Sequence, residues 1–268
     1  MNSAASRPAS ELRTHWLSTQ LGQRVHALEC KLVAEALTQV FGWQLLQIGT
    51  WGQTHALMDA SRTQRKAVLS PDALNEMPGV MTIRSRTDSL AIASDTVDAV
   101  LLPHTLEHTA DPHELLREVE RILPGDGQLI ILGFRPFSLW GTRNLFGVQG
   151  FPPGTERFIG ERRLRDWLKL LGFEVTDARR YLFTLPWGGA VPRSQRLLEA
   201  VGIHAWPLLA GAYMLTARKR VYTLTPIRPR WRIRQRVVGG LIEPTTRVPQ
   251  PHLQQGASAI SNPSNQDE

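Results

Sequence analysis

The pattern of hydrophobic and polar residues is most regular between residues 95 and 133, where it predicts two strands joined by a helix. Ala99–Pro103 is continuously apolar, as a strand covered on both faces must be. Asp111 and Pro112 then predict the start of a helix, and apolar residues recur after them at helical spacing. A glycine turn leads into a second apolar run at 128–133. We therefore expect two parallel strands with a right-handed helical crossover.

The same periodicity predicts the other elements. They are a helix within residues 11–41, strands at 44–48, 67–69 and 80–83, a helical segment at 71–77, a helix at 161–171, a strand at 173–181, a helix near 193–201 and a strand at 209–217. Residues 134–160 are rich in aromatic residues, Gly and Pro, and are predicted to form an irregular insertion over the ligand site. Strands that alternate with helices predict an α/β sheet.

Polar residues follow the strand Ala99–Pro103 directly. They are His104, Glu107 and His108. Small ligands bind beyond the carboxyl ends of the strands in open α/β sheets, so we expect the functional site here.

Composition favours one domain with a substantial core, because 42% of the 268 residues are hydrophobic. The single cysteine, Cys30, cannot form an internal disulfide, and the first residues lack the apolar core of a secretion signal. The longest apolar stretch, Ala205–Ala217, is shorter than the ~20 residues of a membrane span and contains Pro207. A cytoplasmic protein without a transmembrane segment is expected.

The net charge of +7 is concentrated in one stretch, Arg218–Arg236, which contains eight basic residues and no acidic one. Such a run can bind the phosphates of RNA or an anionic membrane surface. In the alternating part of this stretch, Arg228–Arg236, only one aromatic residue, Trp231, is interleaved with the charges, which favours a solvated arm over an RNA-binding one. Residues after about 249 have the polar composition of a disordered tail.

The order of these motifs resembles the type 11 branch of the class I S-adenosylmethionine-dependent methyltransferases. The resemblance rests on the apolar strand, His104-Thr105-Leu106-Glu107-His108, the Asp-Pro helix start and the glycine turn. It covers roughly residues 24–220, and implies a seven-stranded doubly wound, Rossmann-like sheet of order 3-2-1-4-5-7-6 with the last-inserted strand antiparallel. The expected organisation is then a helical N-terminal extension at 1–23, a methyltransferase-like domain at 24–220 with the aromatic insertion at 134–160, and a basic arm and tail at 221–268.

The resemblance also implies S-adenosylmethionine as cofactor, bound by the glycine turn after the first strand. Gly49 matches the family pattern, whereas Gln47 stands at the usual acid and Trp51 at the second glycine. An amide offers the cofactor's ammonium group only a neutral hydrogen bond, so binding is expected to be weak. The predicted cofactor-binding residues are Gln47, Gly49, Thr50, Trp51, Gly52, Ser70, Asp88 and Pro103.

Ser70 and Asp88 are included although neither stands at the position where the family pattern has an acid. At the end of the second strand, Ser70 or Asp72 would substitute for the acid that binds the ribose hydroxyls. Arg86 aligns with the acid on the adenine side, and Asp88 follows two residues later.

His104 and His108 are the predicted catalytic residues, because an imidazole of near-neutral pKa can take a proton from a methyl acceptor. Hydrogen bonding at a helix start is the alternative role. The segment also reads H-x-x-E-H, a zinc-hydrolase motif, but that motif needs a continuous helix and this segment lies between Pro103 and Asp111-Pro112. No metal site is predicted.

Methyl transfer from S-adenosylmethionine to a small-molecule acceptor is the predicted function. Four aromatic residues of the insertion, Phe137, Trp140, Phe146 and Phe151, favour an apolar or aromatic acceptor, although they would equally pack among themselves. Two alternatives stay open: a non-catalytic interaction protein on a degenerate methyltransferase fold, and an RNA-directed methyltransferase or binder that uses the basic arm.

Overall fold

The computed structural model of the protein describes residues 9–52, 55–72, 74–75, 77–146, 151–153, 155, 157–183 and 210–220. The chain divides into two units, residues 1–223 and 224–268, and every described residue belongs to the first.

Seven strands form one sheet. Their bounds are β1 Gln44–Ile48, β2 Arg65–Ser70, β3 Val80–Arg84, β4 Ala99–Pro103, β5 Gln128–Phe134, β6 Phe173–Tyr181 and β7 Ala212–Lys219. The order is β3-β2-β1-β4-β5-β7-β6, and β7 is antiparallel to both of its neighbours while the other pairs are parallel. The predicted fold class and strand order are confirmed.

Among the described residues, five α-helices flank the sheet: α1 Ala9–Ser18, α2 Gln20–Leu37, α3 Pro112–Ile122, α4 Leu139–Phe146 and α5 Glu161–Leu170. The Thr19 side chain caps α2 by accepting a hydrogen bond from the backbone of Gly22. Asp111 caps α3 in the same way, as its sequence predicted. Both caps satisfy backbone donors that have no partner within the helix.

The core lies on both faces of the sheet, which explains why β4 is buried along its whole length. Leu45 belongs to the cluster on the α1 and α2 face, and the next residue, Leu46, belongs to the cluster on the α3 and α5 face. Side chains that alternate between two covered faces are what a doubly wound sheet requires.

Three predicted elements differ from the structure. The described residues of segment 71–77 are not helical, and the backbone of Met77 instead pairs with Val80. The insertion at 134–160 contains a helix, α4, because Ser138 accepts a hydrogen bond from the backbone of Gly141 and so supplies an N-cap. The last strand begins three residues later than predicted, at Ala212, and ends two residues later, at Lys219. The predicted helix at 193–201 lies outside the described residues.

Candidate functional site

The carboxyl ends of β1 and β4 lie side by side, and the side chain of Thr105, two residues after β4, contacts the backbone that follows β1. Gly49, which follows β1, has a φ of +88°, and a Cβ atom there would lie 2.8 Å from Oγ1 of Thr105. That hydroxyl donates a 2.5 Å hydrogen bond to the carbonyl of Ile48. Glycine is therefore required at position 49 both by its backbone conformation and by the lack of space.

Gln47 is the last polar side chain of β1 and is completely buried. Its amide nitrogen donates a 2.9 Å hydrogen bond to the carbonyl of Gly49, which fixes the orientation of the amide. Its other polar atom, Oε1, is buried and has no hydrogen-bond partner. A buried acceptor without a donor costs free energy, so this oxygen is well suited to receive a donor from a ligand.

Trp51 turns its indole away from the glycine turn toward the N-terminal helices. Its ring is fully buried and lies 4.2 Å from the ring of His104 and 6.1 Å from that of Trp16 in α1, measured between centroids. Its Nε1–H donates a 2.5 Å hydrogen bond to Oε2 of Glu29 in α2.

Glu29 is the centre of a buried hydrogen-bond network that the sequence did not predict. Oε1 of this carboxylate accepts a 2.9 Å bond from the Tyr181 hydroxyl and lies 2.9 Å from Nε2 of His104. Together with the indole of Trp51, three groups from distant parts of the chain contact one carboxylate. A buried carboxylate is stable only when it is paired in this way.

His104 lies between two carboxylates. Its Nε2 faces Glu29, and its Nδ1 lies 3.2 Å from Oε2 of Glu107, whose Oε1 accepts a 2.5 Å bond from the backbone N–H of Phe134. Burial alone lowers the pKa of His104, but the charges and hydrogen bonds of Glu29 and Glu107 outweigh it and raise that pKa to about 9. The imidazole is therefore a cation at neutral pH.

The two other titratable groups of the network respond mainly to burial. Burial raises the pKa of Glu107, although the hydrogen bond with His104 opposes this effect. Burial also raises the pKa of the Tyr181 hydroxyl, so it remains a proton donor.

Aromatic side chains cover the network on the side of α1 and α4. Phe134 stacks on His104 with a centroid distance of 4.2 Å, and Trp140 stacks on Phe134 at 5.8 Å. Trp16 contacts Trp140 and Phe151 edge-on. Two members of the predicted wall, Trp140 and Phe151, thus lie at the site.

The other two predicted wall residues do not contribute to this packing. Phe137 is 89% exposed, so its place in the predicted wall is wrong. The side chain of Phe146 lies outside what the structure describes.

The remaining predicted site residues lie around this centre. Pro103, the last residue of β4, is buried, whereas Thr50, Gly52 and His108 are half-buried. A Cβ atom on Gly52 would come within 2.7 Å of the His26 imidazole.

Ser70 and Asp88 lie at the ends of other segments. Ser70 is buried at the end of β2, and its Oγ accepts a 3.2 Å bond from the backbone of Asp72. Asp88 is half-buried and forms a two-point ion pair with Arg86.

Glu29, Tyr181 and Trp16 also belong to the site, although they were not predicted from the sequence. Leu28 and Leu32 stand at apolar helical spacing in the first long helix, but its buried face is Gly22, Val25, Glu29, Val33 and Leu37. An acidic residue in the i, i+4 row between Val25 and Val33 was the signal that could have revealed a buried charge.

The inverted zinc-hydrolase reading of residues 104–108 has no helical support. Only Thr105–Glu107 form a single 3-10 turn, and His104 before it has the left-handed φ of +55°. Within the described ranges, no three His, Cys, Asp or Glu side chains converge as metal ligands. No helix of the described residues is long and apolar enough to cross a membrane.

Comparisons with known proteins agree with this architecture. The family model described as "Methyltransferase domain" matches residues 40–131. The Escherichia coli (strain K12) protein named "Uncharacterized protein YafS" is 36% identical over 191 residues, which are 70% of this chain and 73% of that protein.

Similar solved structures share the fold at low sequence identity. A chain of the Haloferax volcanii complex of the Trm112 methyltransferase activator with a methyltransferase has a TM-score of 0.57 at 15% identity, over 78% of this chain and 97% of that one. An S-adenosylmethionine-dependent methyltransferase from Thermotoga maritima gives 0.52 at 16%, over 78% and 100%. The [4+2]-cyclase SpnF gives 0.51 at 20%, over 72% and 80%. The chain therefore belongs to the class I S-adenosylmethionine-dependent methyltransferase family, in which its glycine turn is unusual at Gln47 and Trp51.

Proposed function

We propose that this protein transfers the methyl group of S-adenosylmethionine to a small-molecule acceptor that has an apolar or aromatic part. The observation that carries the proposal is the buried Oε1 of Gln47, which has no hydrogen-bond partner next to the glycine turn. The family pattern has an acid at this position, whose role is to accept hydrogen bonds from the cofactor's ammonium group. An amide oxygen can accept the same donor, although less strongly than a carboxylate.

The residues around Gln47 have defined roles in this proposal. Gly49, Thr50, Trp51 and Gly52 would follow the methionine part of the cofactor, Ser70 would bind the ribose with its hydroxyl, Asp88 would face the adenine side and Pro103 would form the floor. The bound cofactor supplies a methyl group activated by its positive sulfur. For Asp88, this role requires that its ion pair with Arg86 rearrange or bind together with the ligand.

The two predicted catalytic histidines differ in their suitability as proton acceptors. His104 is cationic at neutral pH and both of its ring nitrogens face carboxylates, so in this arrangement it serves better as a positioning group than as a base. His108 is half-buried and follows the same short turn. We therefore assign proton acceptance from the methyl acceptor to His108.

Trp140 and Phe151 support an acceptor with an apolar or ring-bearing part, because large aromatic side chains bind such groups. Since both rings are buried against Trp16 of α1, the acceptor must displace part of this packing when it binds.

A non-catalytic interaction protein is the second candidate function, and Trp51 favours it. The indole stands where the family pattern has a glycine, and it is held by a hydrogen bond to Glu29. If Trp51 keeps this position at all times, the protein retains the methyltransferase fold but does not bind the cofactor.

Calorimetric titration with S-adenosylhomocysteine separates the two candidates. We expect a dissociation constant of about 0.1–1 mM together with an increase in melting temperature, because the turn is retained but charged anchors are missing. Absence of both heat and thermal stabilisation at millimolar ligand would favour the non-catalytic candidate.

Matched variants at Gln47 test the residue that carries the proposal. Gln47→Glu should bind S-adenosylhomocysteine about tenfold more tightly, since a carboxylate gives the ammonium a charge-assisted bond. Gln47→Leu has a similar volume without an acceptor and should bind at least about tenfold more weakly. If the three forms have equal affinity, the ammonium does not bind at Gln47.

The basic arm at 221–268 lies outside the described residues, so its role rests on sequence alone. We expect a chain that ends at Arg220 to bind S-adenosylhomocysteine as the full chain does. Filter binding at ~50 and 200 mM salt with both forms tests the alternative, because RNA contacts weaken by orders of magnitude over that range. Tight, salt-sensitive RNA binding by the full chain alone would overturn the small-molecule acceptor.

A further inference from the structure

Glu29 lies outside the segment that the methyltransferase family model matches, yet it is the most connected side chain of the site. The match covers residues 40–131, whereas Glu29 belongs to α2 and Tyr181 to β6. The carboxylate is fully buried and receives Trp51, His104 and Tyr181 from three separate segments. A carboxylate accepts about four hydrogen bonds, so these three use most of its capacity.

The bond to Glu29 determines where the indole of Trp51 lies. An indole has only one N–H donor, and here that donor points at Oε2 of Glu29. The ring thereby lies between the rings of His104 and Trp16, tilted against both, on the α1 and α2 face of the sheet. Without this acceptor, a buried indole N–H would lose its partner and the ring would have to move to find another.

The same carboxylate orients His104. Because Nε2 faces Glu29 and Nδ1 faces Glu107, the imidazole plane is fixed by two acceptors on opposite sides. His104 is also in the left-handed backbone conformation, which is uncommon for residues other than glycine, and its backbone N–H donates a 3.1 Å hydrogen bond to the carbonyl of Leu132.

We propose that Glu29 is a positioning residue that holds Trp51 and His104 in place beside the glycine turn, so that α2 forms part of the cofactor site. The role at the cofactor site rests on the proposed function. Trp51 stands where the family pattern has a glycine, and the buried carboxylate of Glu29 accommodates it by accepting a hydrogen bond from the indole N–H.

The first test compares Glu29→Gln with Glu35→Gln, the same substitution on the same helix. Glu35 pairs with Arg179 at the surface, where its side chain is 62% exposed. We expect Glu29→Gln to lower the affinity for S-adenosylhomocysteine at least tenfold, and Glu35→Gln to change it less than twofold. Equal affinities of the wild type and Glu29→Gln overturn the role at the cofactor site.

A spectroscopic measurement tests the positioning without any ligand. The Nε1–H resonance of Trp51 is assigned by its loss in Trp51→Phe, and its chemical shift reports the hydrogen bond to the carboxylate. It should move in Glu29→Gln and stay unchanged in Glu35→Gln. An unchanged resonance in Glu29→Gln means that the carboxylate does not hold the indole, and overturns the proposal.

Glu29→Asp keeps the experiment decisive if Glu29→Gln does not fold. The shorter side chain retains the charge that pairs with His104 but cannot reach all three partners. We expect a displaced Trp51 resonance and an affinity several-fold weaker than that of the wild type; a wild-type resonance and affinity would contradict the proposal. If the wild type itself does not bind S-adenosylhomocysteine, the proposed function fails, whereas the Trp51 resonance still decides whether Glu29 positions the indole.

Discussion

Replacing Trp51 by alanine is expected to lower the free energy of unfolding by about 3–5 kcal/mol. The indole is fully buried between His104 and Trp16 and contacts Phe134 edge-on, so its removal leaves a large cavity. It also removes one of the three partners of the buried Glu29 carboxylate. Both losses lower the free energy of unfolding, and the surrounding aromatic rings can close the cavity only in part.

Two further variants separate the ring from its hydrogen bond. Trp51→Phe keeps most of the ring volume and should cost about 1–3 kcal/mol, the penalty of a buried acceptor that loses its donor. Trp43→Ala is the matched control, because Trp43 is 63% exposed and should cost less than about 1 kcal/mol. Urea denaturation followed by circular dichroism measures all three. If Trp51→Ala is no less stable than Trp43→Ala, the indole is not part of the packed site.

Stability is expected to fall as the pH rises from about 6.5 to 9, because of His104. The pKa of this imidazole is raised to about 9 in the folded protein, above its unfolded value of about 6.5. The charged groups that face it are Glu29 of α2 and Glu107. The Tyr181 hydroxyl of β6 is also close, because it donates a hydrogen bond to the same oxygen of Glu29, Oε1. A histidine whose pKa is raised on folding stabilises the folded state fully at a pH below its unfolded pKa. This stabilisation is lost as the pH rises through its folded pKa. The expected loss is on the order of 3 kcal/mol.

His104→Asn is the variant that isolates this effect. Asparagine tolerates the left-handed backbone of position 104 but does not titrate, so its unfolding free energy should be nearly independent of pH over the same window. His26, whose pKa is lowered by burial, and Cys30, whose pKa is raised to about 11, contribute at the two ends of this window, because their unfolded states titrate at about 6.5 and about 8.5. Both groups are also present in His104→Asn, so the difference between the two curves reports His104. Parallel curves for the wild type and His104→Asn would show that His104 is not the group that titrates.

The sequence predicted the sheet well because its information is local. The apolar run of β4, the Asp111 cap of α3 and the resemblance to the methyltransferases gave the fold class and strand order that the structure has. The same local rules failed for segment 71–77, where no helix forms in the described residues. They also missed α4, whose Ser138 cap stands in a stretch rich in Gly and Pro.

From the sequence, the glycine turn and the polar residues after β4 were each expected at the carboxyl end of a strand, but the contacts between them were not. In the structure, both lie at the same edge of the sheet. The hydroxyl of Thr105 bonds to the carbonyl of Ile48, and its side chain occupies the place that a Cβ atom on Gly49 would need. In the sequence, Gln47 is only an amide at a position where the family pattern has an acid. Only the structure distinguishes its satisfied nitrogen from its unpaired oxygen.

By itself, the amino-acid sequence determined the strands, the helix α3, the glycine turn and the edge at which His104 lies, since periodicity, caps and turns act over a few residues. The doubly wound strand order followed from the resemblance to the methyltransferases. The tertiary structure alone decided that Glu29 and Tyr181, 152 residues apart, meet at one carboxylate and that Trp51 binds there. Such a meeting depends on how α2, β4 and β6 pack around the sheet. The free energy of a buried charge depends on all the groups that surround it, and no sequence pattern places those groups together.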